Sequence, residues 1–184
     1  VIAERLGGSE SRFAQLMTVK GKSLGMQNTR FVNASGLPDD RQITTARDLA
    51  ILAEAMIDDH GESYHYFSRP RFTWAGKTYK NHNELLDSVD GVDGIKTGYT
   101  RASGFNLMTS AKRDGHRIVA IMLGGSTSKS RNAHVASLVE AAFKSYELPA
   151  DPADPDRRLQ IAFSEFNTTT ANPNGAAVPM LNGK

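Results

Sequence analysis

Three consecutive residues, Lys96, Thr97 and Gly98, combine a positive charge, a hydroxyl and a position without a side chain. On an extended strand the side chains of Lys96 and Thr97 would point to opposite faces. The hydroxyl could then donate to a substrate carboxylate, while the lysine lends positive charge. Gly98 has no Cβ, so a peptide-like ligand could approach closely and bind by strand addition. The tripeptide therefore predicts a strand that forms one side of a ligand-binding site, although the same tripeptide is also common beside turns.

Four stretches occur in a fixed order, at residues 22–38, 44–50, 81–86 and 92–98. In order and approximate spacing they resemble the D-alanyl-D-alanine carboxypeptidases, which are low-molecular-mass penicillin-binding proteins. Four matches in order are far more specific than one tripeptide. The resemblance extends over the chain to about Leu148.

This resemblance implies an α/β (α+β) fold of the β-lactamase and transpeptidase type, with an antiparallel sheet in a three-layer αβα arrangement. It also implies a serine-type D-alanyl-D-alanine carboxypeptidase that acts on peptidoglycan stem peptides through an acyl-enzyme and is sensitive to penicillin. The expected partners are the D-Ala-D-Ala stem peptide and β-lactams, and the expected location is extracytoplasmic, in the periplasm or on the outer face of the inner membrane. No metal or organic cofactor is implied.

The resemblance places substrate-binding residues in this chain but no catalytic ones. The nucleophilic serine, its lysine base and the first strands of the fold are expected upstream of Val1. Arg131 would help to hold the terminal carboxylate of the peptide. His82 could border the site or be a surface turn residue. The substrate-binding positions are Lys96, Thr97, Gly98, Tyr99, Arg131 and His82.

Two later stretches fit the catalytic signatures literally, because Ser126 and Lys129 match Ser-x-x-Lys and residues 130–132 match Ser-x-Asn. They follow the Lys-Thr-Gly tripeptide, whereas the family places its signatures before it. Several serines just ahead of a helix are also explained by N-capping. We therefore expect no catalytic role for them.

The absence of a recognisable nucleophile keeps a second function open. The chain could be a non-catalytic module that binds cell-wall peptide or assembles with an N-terminal segment of the same domain. Membrane association would then depend on regions outside this sequence. A third alternative is an incomplete, marginally folded fragment with an exposed sheet edge.

Composition excludes several other classes of protein. The chain has 184 residues and a net charge of +2 from 22 basic and 20 acidic residues that are well mixed, which argues against a nucleic-acid-binding role. There is no cysteine, so disulfides and thiolate metal sites are excluded. His60 and His65 lack the spacing of a zinc-binding helix. We expect one domain over residues 1–148 and a linker or disordered tail over residues 149–184.

The elements that must position the tripeptide follow from periodicity. Strands are predicted at residues 95–100, 105–111 and 117–123, the last two joined by an Asp-Gly turn at Asp114. The last strand is apolar on both alternating faces, so helices should cover both. A final helix over residues 130–146 should provide one of these covers.

The first half of the chain is predicted to be mainly helical. Residues 1–8 are expected to be the end of a helix. A second helix, capped by Ser9 or Ser11, has Phe13, Leu16 and Met17 on one face, and a third, capped by Thr44 or Thr45, has Leu49, Leu52, Ala53 and Met56 along one stripe. A short helix over residues 62–67 and a small hairpin with strands at 72–74 and 77–79 follow.

Overall fold

The computed structural model describes residues 1–147, and the predicted linker over residues 149–184 lies outside the described residues. The elements follow in this order: α1 (Ile2–Gly7), α2 (Glu10–Leu24), α3 (Ala46–Asp59), α4 (Gly61–Tyr64), β1 (Arg71–Trp74), β2 (Lys77–Lys80), α5 (Leu85–Ser88), β3 (Val92–Thr100), β4 (Gly104–Arg113), β5 (His116–Gly125) and α6 (Ser128–Glu147).

The central sheet is antiparallel, with the strand order β3-β4-β5. Its β4–β5 turn is the predicted Asp-Gly pair, and both residues have positive φ, 48° for Asp114 and 82° for Gly115. Two positive φ values match the twist of a tight hairpin. All three predicted strands are therefore confirmed, each somewhat longer than the sequence pattern indicated.

Helices lie on both faces of this sheet. Leu107 of β4 packs with Val135 and Val139 of α6, whereas its neighbour Met108 packs in a second cluster with Ala53 of α3. Successive side chains of a strand point to opposite faces, so α6 and α3 cover opposite sides. The three-layer αβα prediction is confirmed.

Coverage of β5 is less complete than predicted. Both α6 and α3 contact this strand, but only Ala120 and Gly125 are buried, and Leu123 is 40% exposed. Within the described residues β5 is an edge strand, with a neighbour on one side alone. An edge position leaves apolar side chains partly open even when helices lie over both faces.

Helix α2 begins where predicted, with Ser9 and not Ser11 as its cap: the Ser9 hydroxyl accepts from the Arg12 amide at 3.2 Å. Of the three residues predicted to share one face, Leu16 is 42% exposed, and Phe13 and Met17 are half-buried. The helix packs instead through small residues, since Ala14 and Gly21 are buried and a Cβ on Gly21 would lie 3.4 Å from the Met26 sulfur. Close contacts at the small residues Ala14 and Gly21 therefore decide which face of α2 is buried, more than the positions of its large apolar residues do.

Helix α3 has the predicted stripe, with Ala53 fully buried, and is capped by Thr45, whose hydroxyl accepts from the Asp48 amide at 3.1 Å. Asp48 itself is 1% exposed. Its carboxylate accepts from the Asn28 amide at 2.7 Å and from the Thr29 hydroxyl at 2.6 Å. A first-turn acid, suited to the positive end of the helix dipole, therefore also fastens the segment before α3.

The region between α3 and the sheet, residues 60–91, is built from short elements. Helix α4 ends at Tyr64, earlier than the predicted end near residue 67. The predicted hairpin is present as β1 and β2, with every residue of both strands exposed. No helix within residues 1–147 is long and apolar enough to cross a bilayer.

Candidate substrate-binding site

The predicted tripeptide lies in the middle of β3, at the edge of the sheet. Within residues 1–147, β3 pairs with β4 only, so its outer edge has no neighbouring strand. An unpaired edge presents alternating N–H and C=O groups to an extended ligand. The strand therefore has the geometry that binding by strand addition requires.

A shallow cavity of about 250 Å³ lies beside the tripeptide. It brings together three of the predicted residues, Lys96, Thr97 and His82, with Tyr66 among the other lining residues. A larger cavity of about 820 Å³ lies between α2 and residues 27–32. That larger cavity contains none of the predicted site residues, so the smaller one is the candidate site.

The side chains of the tripeptide differ in exposure. Lys96 is exposed, and its ammonium group donates to the Thr97 carbonyl at 2.6 Å. Thr97 is half-buried, whereas Gly98 is open: a Cβ added there would meet only the Asn106 Cβ, at 3.9 Å. The strand surface at Gly98 is therefore accessible to a ligand backbone.

Tyr99 and Arg131 lie outside the cavity. The Tyr99 ring packs on Phe105 of the neighbouring strand, with ring centroids 4.4 Å apart, and remains 60% exposed. Arg131, in the first turn of α6, is only 4% exposed. Its NH1 group donates to the Asn106 carbonyl at 3.2 Å, and Asn106 is the β4 residue in register with Gly98. The guanidinium therefore contacts β4, the strand that pairs with the tripeptide strand.

The environment of Arg131 affects the pKa of its guanidinium. Burial lowers the pKa of the Arg131 guanidinium, and the charge of Glu84 acts in the opposite direction. The Asn132 side chain stands between them: its oxygen accepts from two nitrogens of Arg131, at 2.7 Å and 3.1 Å. Burying a charge is costly unless it is hydrogen-bonded, and the hydrogen bonds of Arg131 to Asn132 and to the Asn106 carbonyl offset part of that cost.

A buried polar cluster fixes the start of the tripeptide strand. The Gly94 carbonyl accepts from the Asn83 amide at 2.9 Å and from the Thr109 hydroxyl at 2.6 Å. Asn83 and Thr109 are 3% and 0% exposed. Neither was predicted as a site residue. A threonine inside the apolar pattern of β4 was the signal that could have identified Thr109.

A second cluster ties α4 to the same strand. Asp93 of β3 forms an ion pair with Arg117 of β5 at 2.8 Å, and Arg117 also donates to Ser110 at 2.6 Å. The Arg117 guanidinium lies over the Tyr64 ring, with its central carbon 5.4 Å from the ring centroid. Burial raises the pKa of the Tyr64 phenol, because the ionised form would lose its hydration there. These contacts hold β3 in place at Asp93, three residues before Lys96.

The literal Ser-x-x-Lys and Ser-x-Asn matches lie at the start of α6 and take part in local contacts. The Thr127 hydroxyl accepts from the Ser130 amide at 3.0 Å, and the Ser130 hydroxyl accepts from the Thr127 amide at 3.2 Å. Ser126 contacts the Ser130 hydroxyl at 3.2 Å. Reciprocal bonds of this kind are typical of a helix N-terminus, with Thr127 as the cap.

Comparison with known proteins gives a consistent result. The family model described as D-alanyl-D-alanine carboxypeptidase, peptidase family S11, matches residues 1–127. The chain is 36% identical over 157 residues to the carboxypeptidase DacF of Bacillus subtilis, a match that covers 79% of this chain and 39% of that protein. It is 37% identical over 147 residues to DacA of Escherichia coli K12, covering 79% and 36%.

Solved structures agree in fold. The carboxypeptidase DacD of Francisella tularensis superposes with a TM-score of 0.75 at 30% identity, covering 77% of this chain and 47% of that one. Penicillin-binding protein D2 of Listeria monocytogenes, in its ampicillin-bound form, gives 0.72 at 36% identity, covering 77% and 59%. The chain spans less than two fifths of the length of the curated relatives named above. On sequence and on fold, it belongs to the D-alanyl-D-alanine carboxypeptidase family, peptidase family S11.

Proposed function

We propose that this chain supplies the substrate-binding strand of a serine-type D-alanyl-D-alanine carboxypeptidase. The enzyme would cleave the terminal D-Ala from peptidoglycan stem peptides through an acyl-enzyme and would be acylated by β-lactams. The observation that carries the proposal is the outer edge of β3, which has no strand neighbour within residues 1–147. Lys96 and Thr97 line a cavity there, and Gly98 is the next residue of the strand.

The roles of the residues follow from their chemistry. The backbone of β3 would pair with the extended peptide, and Gly98 would allow its close approach. The Thr97 hydroxyl would donate to the terminal carboxylate, and Lys96 and Arg131 would add positive charge. Tyr99 and His82 would border the bound peptide. The serine nucleophile and its lysine base are expected from the remainder of the domain, because this chain spans 36% to 39% of its relatives.

The relatives act on the bacterial cell wall, and this supports an extracytoplasmic location for the complete enzyme. The expected partners are the D-Ala-D-Ala stem peptide, β-lactams and the N-terminal part of the same domain. Any membrane attachment would come from regions outside this sequence. We propose no nucleic-acid partner, since basic and acidic residues are nearly balanced at 22 and 20.

A change of Thr97→Val tests the proposal in the full-length enzyme. Valine keeps the shape of threonine and removes its hydroxyl, so a charge-assisted hydrogen bond worth about 1.5–3 kcal/mol is lost. We expect acylation by penicillin to slow by roughly 10- to 100-fold. Intact mass spectrometry over time gives the acylation rate.

The matched control is Thr73→Val, an exposed strand threonine bonded to Thr78 at 3.0 Å and outside the cavity lining. It should acylate at the rate of the unaltered enzyme. Unchanged acylation of Thr97→Val would contradict the substrate-binding role proposed for β3. If the full-length protein binds a D-Ala-D-Ala peptide but never forms an acyl-enzyme, the chain belongs to a non-catalytic cell-wall-peptide module instead.

A further inference from the structure

Four polar groups form a continuous chain of hydrogen bonds from the surface to the strand beside the tripeptide. The Glu84 carboxylate accepts from the Asn132 amide nitrogen at 2.8 Å. The Asn132 oxygen accepts from Arg131, and Arg131 in turn donates to the Asn106 carbonyl of β4. This relay joins the segment that begins α5 to the first turn of α6 and then to the sheet.

The chemistry of its two ends leaves the central amide a single orientation. A guanidinium has donors only, and an ionised carboxylate has acceptors only. Asn132 must therefore turn its oxygen towards Arg131 and its nitrogen towards Glu84. Because Asn132 is only 9% exposed, water cannot readily replace either partner. Glu84 thus fixes the amide, and the amide fixes the guanidinium.

The guanidinium retains free donor capacity. It has five N–H groups, and within the described residues three of them, one on each nitrogen, have partners. The other two N–H groups make no hydrogen bond to the described residues. A buried guanidinium whose three nitrogens are held by two acceptors, the Asn132 oxygen and the Asn106 carbonyl, loses little further side-chain entropy when it binds, so the remaining donors are pre-organised.

We propose that Glu84 and Asn132 are positioning residues that hold Arg131 in place to recognise the terminal carboxylate of the substrate. The inference rests on the proposed function, because it assigns Arg131 to that carboxylate. It goes further by making carboxylate recognition depend on two side chains that contact neither the cavity beside β3 nor the tripeptide. Its chemical consequence is selectivity for peptides with a free C-terminal carboxylate over those without one.

The experiment compares two peptides with the full-length enzyme, one ending in D-Ala-D-Ala and the other in the corresponding terminal amide. The readout is the ratio of kcat/KM for the carboxylate peptide to that for the amide. We expect Asn132→Ala and Glu84→Ala each to lower this ratio by about 10-fold, the effect of weakening one charge-assisted contact. Since the two residues act in series, the double variant should lower it no further than Asn132→Ala alone.

Two variants separate positioning from a merely structural role. Glu84→Gln keeps an oxygen that can accept from Asn132, so it should restore most of the ratio. Glu140→Gln weakens a different α6 contact, the pair with Arg113 at 2.6 Å, and should lower stability without changing the ratio. Glu84 is exposed, so its alanine variant should fold even if Asn132→Ala does not.

Equal losses on both peptides would overturn the inference, because they would show that the relay only stabilises the fold. An unchanged ratio in Glu84→Ala would overturn it as well. A full-length protein that is never acylated by penicillin would instead refute the proposed function. In that case the affinities for the two peptides, measured by calorimetry, still test the relay by the same ratio.

Discussion

At the scale of single residues, two glycines of β3 differ in the space around them. Gly94 is buried against α4, and a Cβ there would lie 2.6 Å from the Tyr64 hydroxyl oxygen. Gly98 faces open space, with nothing nearer than 3.9 Å. The sequence alone shows two glycines four positions apart, and only the packing around them shows that one serves the fold and the other the ligand.

This contrast predicts different outcomes for one substitution. Gly94→Ala should destabilise the protein by about 1–3 kcal/mol, because the methyl group overlaps Tyr64 and must displace it. Gly98→Ala should change stability by less than about 0.5 kcal/mol, because the methyl group fits, but it should slow acylation by obstructing the ligand backbone. Urea unfolding and penicillin acylation of the full-length enzyme measure the two effects. Normal acylation in Gly98→Ala would show that the ligand does not approach there.

At the scale of elements, a bidentate ion pair adds to the apolar contacts between α6 and the sheet. Arg113 of β4 donates to the two carboxylate oxygens of Glu140 at 2.6 Å and 2.8 Å. The same guanidinium donates to the Asp90 carbonyl and stacks on the Phe143 ring. One arginine thus fixes the helix that carries Arg131 relative to the strand beside the tripeptide.

The ion pair predicts a pH dependence of stability. The hydrogen bond from Arg113 lowers the pKa of the Glu140 carboxyl below its ordinary value. The stabilisation is therefore present above the carboxyl pKa of the unfolded chain and is lost as the pH falls through the lower, folded value. Because Glu140 is 43% exposed, solvent screening limits it to at most about 1 kcal/mol.

The difference in melting temperature between the unaltered protein and Glu140→Gln measures the stabilisation by the Arg113–Glu140 ion pair. The unaltered protein should melt higher at neutral pH, and the difference should shrink below about pH 4. A difference that persists to about pH 2 would mean that the carboxylate charge is not its source.

At the scale of the whole molecule, two hydrophobic clusters lie on the two faces of one sheet. The larger one joins α6 and α5 to the sheet, and the smaller one joins α3 and α4 to it. Leu107 lies at the centre of the larger cluster and is 1% exposed. Because β4 is the middle strand, its side chains contribute to both clusters, so it couples the two helical layers.

This arrangement predicts the largest single loss of stability at β4. Leu107→Ala should cost about 2–5 kcal/mol, since it removes buried apolar atoms and leaves a cavity that the layers close only partly. Lys112→Ala, an exposed change in the same strand, should stay within about 0.5 kcal/mol. Urea unfolding of the full-length protein gives both values, and equal small losses would show that α6 does not pack there.

The sequence by itself determined the turns, caps and strands that depend on residues close together in the chain. The Asp-Gly turn and the three strands were predictable, and each cap could be narrowed to two neighbouring candidates, because a few adjacent side chains decide each of these features. The structure then selects Ser9 and Thr45. The ordered stretches were also enough to recognise the family. The end of α4 and the buried face of α2 were not, since helix ends and small-residue contacts depend on what packs against them.

Only the tertiary structure decided which polar groups meet. Asn132 and Glu84 are 48 positions apart, and Thr109 and Gly94 are 15 apart. No local pattern relates such residues, because the free energy of these bonds depends on a buried environment that exists only when the layers are packed. The sequence supplied a lysine, a threonine, a glycine and an arginine, and the packing of α6 and α5 on the sheet decided where each of them lies.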